Sequence, residues 1–318
     1  MTAEFRPLED GNIDYESIVA IALSIQPDDY VSVTDMRDWD DNQRRASRLC
    51  ARWLAYVDDE MVGFSYVGQS PELEPTMAIV RLMVHPAHQQ RGYGRTLLDH
   101  AETTASEHGV DRLLGSTLET RPRDMRFMEQ AGFREIDREW RSTLNLEHFD
   151  ASTWQGALDQ VTSSGIRIVP VAAIGEELSD WKRDLHRLYV QVEADVPANF
   201  PILAVSFEDF EALVLGHRLL ADGFLVAMDG DQMVGLTEPL LVDDEPTAID
   251  QSMTGVRSDY RGRGIATALK AASAVWAVSR GYTTIRTNND QSNAAMLAVN
   301  DRLGFDRDHA TIWYLKRL

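Results

Sequence analysis

An internal repeat limits what this chain can fold into more than any other feature. Met61-Val62-Gly63 returns as Met233-Val234-Gly235, Gly92 as Gly264, Gly109 as Gly281, and Gly132-Phe133 as Gly304-Phe305, each time 172 residues later. A constant offset without a gap calls for one structural plan used twice. The 318 residues suit two domains of ordinary size, and 44% hydrophobic residues let each half bury a core of its own. The copies are expected as domains at 1–150 and 165–318, joined by a polar linker at 151–164.

Within each copy the order of elements can be read. Trp53 to Val57, rich in aromatic and β-branched residues, reads as a strand that turns at Asp58-Asp59-Glu60 and returns from Met61 to Val67. Phe224 to Met228, Asp229-Gly230-Asp231 and Met233 to Leu236 repeat this, with Asp-Gly as a hairpin signal. Further strands follow at Met77–Val84 and Ala248–Val256, each running into a glycine-containing loop and a helix. Leu97, Leu98, Ala101 and Ala105 share one face of the first such helix, and Leu269, Ala272 and Trp276 one face of the second. Gly109 and Gly281 then stop the helices. Short strands are expected at Arg112–Leu118 and Thr283–Thr287, then a second helix ending at Gly-Phe, then closing strands at Trp140–Leu144 and Ile312–Leu315. Upstream of the hairpins, Tyr15–Ser24 and Leu178–Val192 read as helices.

The loops after the central strands carry the chemistry. Gln89-Gln90-Arg91-Gly92-Tyr93-Gly94 and Arg261-Gly262-Arg263-Gly264-Ile265-Ala266 both fit Gln/Arg-x-x-Gly-x-Gly/Ala between a strand and an amphipathic helix. A pyrophosphate can sit at a helix N-terminus when backbone N–H groups point at it and no side chain blocks the approach. Arg91, Arg95, Arg261 and Arg263 place positive charge there, in a chain whose net charge is −20. A tight packing turn explains one such loop equally well, but two in register within a repeat favour the anion site. The dinucleotide fingerprint Gly-x-Gly-x-x-Gly and the Gly-Lys-Ser/Thr phosphate loop are both missing.

On these residues the chain resembles the GNAT acyltransferase superfamily, in the tandem two-domain form of mycothiol-synthase-like enzymes. The likeness is strongest over Met77–Phe133 and Ala248–Phe305. It implies an α/β fold of the α+β type: two domains, each a mixed, mostly antiparallel, splayed sheet flanked by helices. It also implies acetyl-CoA as acyl donor, its pyrophosphate held by Gln89, Arg91, Gly92, Gly94 and Arg95 in copy one, or by Arg261, Gly262, Arg263, Gly264, Ala266 and Thr267 in copy two. The backbone N–H groups of Val84 and Val256 are the implied thioester-carbonyl donors. Thr287-Asn288-Asn289, Asn293, Met296 and Asn300 are similar to a bacterial subgroup, which implies CoA contacts for Asn293 and Asn300. Asn293 is equally suited to capping the second helix. Many relatives carry a tyrosine acid four residues before the Gly-Phe glycine; here Met128 and Asn300 stand there. Glu238 and Asp250 are the candidate acid or base groups in copy two, with Tyr314 as an alternative acid. The asparagine-rich second helix makes copy two the expected catalytic domain; the more regular double-glycine loop keeps copy one as the alternative, binding CoA structurally or as the working copy.

The acidic surface disfavours nucleic acid and anionic lipid and suits a cationic acceptor. The single cysteine, Cys50, excludes an intrachain disulfide and fits a reducing cytoplasm. It lies far from any histidine and reads as a core residue. No metal-ligand spacing is found among the eight histidines, so no metal is expected. No apolar run is long enough to span a bilayer. The expected activity is transfer of an acetyl group from acetyl-CoA to a small amine, by a monomer or homodimer. A non-catalytic acyl-CoA-binding module and a protein-lysine acetyltransferase are the competing readings.

Overall fold

The computed structural model describes residues 3–8, 15–25, 32–46, 48–242 and 245–318. The first copy contributes β1 (Glu4–Pro7), α1 (Tyr15–Ile25), α2 (Val33–Arg45), β2 (Cys50–Val57), β3 (Glu60–Gly68), β4 (Met77–Val84), α3 (Tyr93–Glu107), β5 (Arg112–Leu118), α4 (Pro122–Gln130) and β6 (Arg134–Asn145). There follow α5 (Gln155–Ser163), β7 (Ile166–Pro170), α6 (Val171–Glu177), α7 (Trp181–Glu193), α8 (Phe207–Leu213), β8 (Leu225–Asp229) and β9 (Gln232–Leu241). The chain ends with β10 (Ala248–Val256), α9 (Ile265–Ser279), β11 (Thr284–Asp290), α10 (Ala294–Leu303) and β12 (Asp306–Arg317).

Two compact units result. Unit 1 holds residues 1–137 and 311–318, and unit 2 holds 138–310. The sheet of unit 1 runs β1-β2-β3-β4-β5-β12 and that of unit 2 runs β7-β8-β9-β10-β11-β6. Within the units, among the described residues, β4–β5 and β10–β11 pair in parallel and the remaining pairs are antiparallel. The units do not coincide with the sequence copies. The last strand of each copy completes the sheet of the other unit: Thr311 to Arg317 pair with β5, and Glu139 to Asn145 pair with β11. Both closing strands alternate buried and more exposed residues, Ser142 and Leu144 in β6 and Ala310, Ile312 and Tyr314 in β12, so each presents one face to a core.

The stretch 151–164, expected as a linker, is built into unit 2. It forms a short 3-10 turn over Ala151–Trp154 and then α5, whose Val161 is buried with Ile166, Ile265 and Ala268. In unit 1, α3 lays Leu98 and Ala101 on Ala78, Val80 and Leu113. Unit 2 has a layer on each face: Leu188, Val192, Phe210 and Leu236 on the α7 side, and Ile249, Ala271, Ala274 and Leu303 on the α9 side. Cys50 is half-buried, donates to Asp40 at 3.4 Å, and has its thiol pushed up to about 12 by burial and then by Asp40. Such a thiol is a poor nucleophile at neutral pH. Among the described residues no helix is long and apolar enough to cross a membrane.

α7 approaches β10 so closely that residue 255 has no room for a side chain. A Cβ on Gly255 would lie 2.5 Å from Val192 Cβ and within 3.0 Å of both its methyls. Valine is stiff about χ1 and cannot turn aside. Gly255→Ala is therefore expected to destabilise unit 2 by about 1–3 kcal/mol in urea unfolding. Gly156→Ala in α5, where a Cβ meets nothing within 4 Å, is expected to stabilise by about 0.5–1 kcal/mol.

Candidate active site in unit 2

Both loops have the same backbone path. β4 and β10 each pass through a short 3-10 turn, Pro86–His88 and Ser258–Tyr260, and then through two left-handed residues. These are Gln90 (φ 62°) and Gly92 (φ 87°) in unit 1, and Gly262 (φ 75°) and Gly264 (φ 81°) in unit 2. Unit 1 thus holds a glutamine where unit 2 has relieved the conformation with glycine. A Cβ on Gly92, Gly262 or Gly264 would meet nothing within 4 Å, so the outer surface of each loop is open. No side chain caps α3 or α9 at Gly92 or Gly264, which leaves first-turn N–H groups facing outward. This arrangement fits a pyrophosphate.

The arginines are partly committed. Arg91 Nη2 donates to Ala87 O at 3.2 Å, and Arg95 pairs with Asp99 at 2.9 Å. In unit 2 Arg263 donates to Asp259 O at 3.2 Å and lies over the Tyr260 ring, while Arg261 pairs with Asp195. Gln89 Nε2 donates to Val84 O at 3.0 Å, and Arg261 Nε to Val256 O at 3.2 Å. These two side chains do the same work in their two copies: each occupies the carbonyl at the end of the central strand. The neighbouring N–H groups, of His85 and Arg257, donate back to Val62 O and Val234 O at 2.8 and 2.9 Å. Backbone groups alternate between the two edges of a strand. The N–H groups of Val84 and Val256 therefore point to the edge that β5 and β11 have left. In the first turns, a Cβ on Gly94 would lie 3.7 Å from the Phe127 ring, Ala266 packs against the core, and Thr267 Oγ1 accepts from Arg302 at 3.3 Å.

The parallel ladder between β10 and β11 runs only from Ala248↔Thr284 to Asp250↔Arg286. Beyond it the strands separate around a cavity of about 110 Å³. Ser252, Met253 and Thr254 form one wall and Thr287 to Asp290 the other, with Asn293 and Met296 of α10, Lys270 of α9, Glu139, and Val196-Pro197 completing it. Thr287 Oγ1 holds Gln251 O at 2.9 Å, and Gln251 Nε2 donates to Thr237 Oγ1 at 2.9 Å, a polar ladder under the opening. The matching neighbourhood of unit 1 is apolar and filled: a Cβ on Gly115 would lie 2.7 Å from Met128 Cε, beside Val80.

The sequence candidates fall in different places. Asn293 lines the cavity and also caps α10, accepting from Met296 N at 3.2 Å. Asn300 is buried behind the wall and donates to Asn289 Oδ1 at 2.6 Å. Glu238 is 2% exposed and shares the β9 face of Leu236, which α7 covers. Asp250 lies outside the cavity wall, paired with Arg218 at 3.3 Å; burial raises its carboxyl above the usual range, against Arg218, Arg286 and Arg141. Tyr314 corrects the sequence reading. It was expected beside the copy-two site, but strand exchange puts it in unit 1, opposite Gly115 and fully buried in that core.

Sequence reasoning missed Lys270. It is 2% exposed, lines the cavity, and has its Nζ 5.0 Å from the centre of the Phe305 ring. It forms no hydrogen bond or ion pair among the described residues. Burial lowers its ammonium to about 7. Alignment of the copies would have found it, because Leu98 occupies the same position in α3.

A match to the acetyltransferase (GNAT) family covers residues 18–133 and 178–305. The mycothiol acetyltransferase of Kocuria rhizophila is 24% identical over 283 residues, 85% of this chain and 86% of that protein. The mycothiol acetyltransferase of Amycolatopsis mediterranei is 24% identical over 280 residues, 82% of each chain. Among solved structures, a tandem GNAT protein from the clavulanic acid biosynthesis pathway superposes with a TM-score of 0.75 at 18% identity, covering 99% of this chain and 98% of that one. A GCN5-related N-acetyltransferase from Sphaerobacter thermophilus gives 0.73 at 20% identity, covering 99% and 95%.

The Lys270 environment makes stability depend on pH. Burial lowers its folded pKa to about 7, against about 10.4 for an ordinary lysine. Between those values the unfolded chain binds the extra proton, so the contribution of this group to stability rises with pH; below about 7 the full cost of the buried charge remains. Lys270→Leu, which restores the unit 1 residue, is expected to raise the melting temperature more at pH 6 than at pH 9. An equal gain at both would contradict the assignment.

Proposed function

This chain belongs to the acetyltransferase (GNAT) family, and from that premise we propose that unit 2 binds acetyl-CoA and transfers its acetyl group to a small-molecule amine. The observation that carries this reading is the cavity where β10 and β11 part, on the same strand that runs on into the open loop at Gly262–Gly264. The pyrophosphate belongs on the first-turn N–H groups of α9, with Arg263 beside it. The arm bearing the thioester then enters between the strands, toward Asn288, Asn289 and Asn293.

The chemistry follows from the groups around that gap. The acceptor nitrogen attacks the thioester carbonyl carbon, and the carbonyl oxygen gains negative charge. Val256 N–H, turned toward the gap, is the donor suited to hold that charge. The acceptor must lose a proton, and Glu238, buried on the α7 side, is the candidate base, directly or through a water. The acceptor approaches past Val196-Pro197, whose segment is tied to the pyrophosphate loop by the Asp195–Arg261 pair. This link couples donor and acceptor binding. A net charge of −20 favours a cationic amine. The relatives named for mycothiol support a small-molecule acceptor over a protein lysine.

Calorimetric titration with acetyl-CoA tests the placement. Gly264→Glu and Gly92→Glu put the same bulk and charge at equivalent left-handed positions, so each controls for the strain in the other. Binding is expected to be lost in Gly264→Glu and kept in Gly92→Glu. The reverse would move the site to unit 1.

A further inference from the structure

The cavity wall includes a buried amine, Lys270, that carbonyl polarisation and acceptor deprotonation leave without a task. Lys270 is buried in α9, is one of the residues that line the cavity, has its Nζ 5.0 Å from the centre of the Phe305 ring, and has no hydrogen-bonding or ionic partner among the described residues. The fold does not require it, since Leu98 fills the same position in unit 1 and packs into the core. A buried unpaired ammonium is costly unless something in the cavity meets it. Once the carbonyl re-forms, acetyl transfer leaves a second anion in that gap, the thiolate of coenzyme A. Asn300, buried behind the cavity wall, has its amide committed to Asn289 at 2.6 Å and no acidic proton to give up.

We propose that Lys270 is the proton donor to the leaving thiolate of coenzyme A. The assignment rests on unit 2 being the acyl-transfer unit. The acceptor nitrogen forms the bond to the carbonyl carbon, the carbon–sulfur bond breaks, and its electron pair goes to sulfur. Sulfur takes a proton from Lys270 Nζ. The proton released by the acceptor nitrogen passes to Glu238 or water, and neutral Lys270 is reprotonated from solvent as free coenzyme A departs. Burial fits the amine to this cycle, because an ammonium lowered to about 7 gives up its proton more readily than an exposed lysine.

The charged groups nearby do not replace it. Glu139 of β6 and Asp290 of β11 share the wall with Lys270 but form no ion pair with it, and Asp290 Oδ1 is held by Ser292 N at 2.6 Å. Arg302 of α10 is bonded to Thr267. Asp250 and Arg286 lie on the sheet face opposite Ile249 and Ile285, which pack under α9, and Glu238 lies on the α7 face of β9.

The test uses the full chain, acetyl-CoA, and the best acceptor from a panel of amino sugars, diamines and amino acid amides, scored by release of free coenzyme A. Lys270→Met and Lys270→Leu are compared with wild type, with circular dichroism to verify folding. We expect kcat to fall about 10²- to 10³-fold, with acetyl-CoA binding and its KM unchanged. Wild-type kcat is expected to decline above a midpoint near 7 as the acid form is lost, and that limb is absent in both variants. Folded variants that keep wild-type kcat and the same pH profile overturn the role of Lys270 and leave the unit 2 reading intact. Turnover that survives Gly264→Glu overturns both.

Discussion

Strands β10 and β11 stop pairing after Asp250↔Arg286, and the site of unit 2 depends on that separation. Two adjacent strands gain nothing by parting, since each unpaired backbone group forfeits a hydrogen bond. The gap persists because each strand is held on its other edge. β9 pairs with β10 from Ile249 to Val256 across a bulge, and β6 pairs with all of β11 from Thr284 to Asp290. The strand contributed by the first sequence copy is thus what keeps β11 extended past the point where β10 leaves it. Val256 N–H faces the gap for the same reason: the strand alternates, and β9 has taken the neighbouring N–H of Arg257.

The two units share this plan and fill it differently. Unit 1 also separates β4 from β5 after Ile79↔Leu114, yet Val80, Met128 and Tyr314 close the space with apolar side chains. Unit 2 has Thr287 where unit 1 has Gly115, Asn300 for Met128 and Lys270 for Leu98. Each replacement adds a polar group at a buried position, which a core tolerates only where partners or a ligand compensate. Unit 1 fills these positions with apolar groups, and unit 2 carries polar ones at the same buried positions.

Local signals were legible in the sequence, and exchanged partners were not. The hairpin at Asp58-Asp59, left-handed at both residues, and the glycine stops at Gly109 and Gly281 have conformations that their residue types announce. The loops at Gly92 and Gly264 were found because they share an offset. Strand exchange left no mark, because the alternation of Ile312 and Tyr314 suits either sheet, and it moved Tyr314 out of the candidate site. The linker at 151–164 looked polar because only Val161 of α5 is buried. Lys270 is the one charged residue of α9, and no local pattern sets it apart. Asp250 was read from its strand alone, and the arginines that surround it come from elements far away in sequence.

Hydrogen exchange by mass spectrometry, with and without saturating acetyl-CoA, tests the central claim that the donor enters unit 2 between β10 and β11. Protection is expected in peptides spanning 254–268 and 287–296, with no change in 82–96 and 115–124. Protection confined to the unit 1 peptides, or spread equally over both sets, would contradict it.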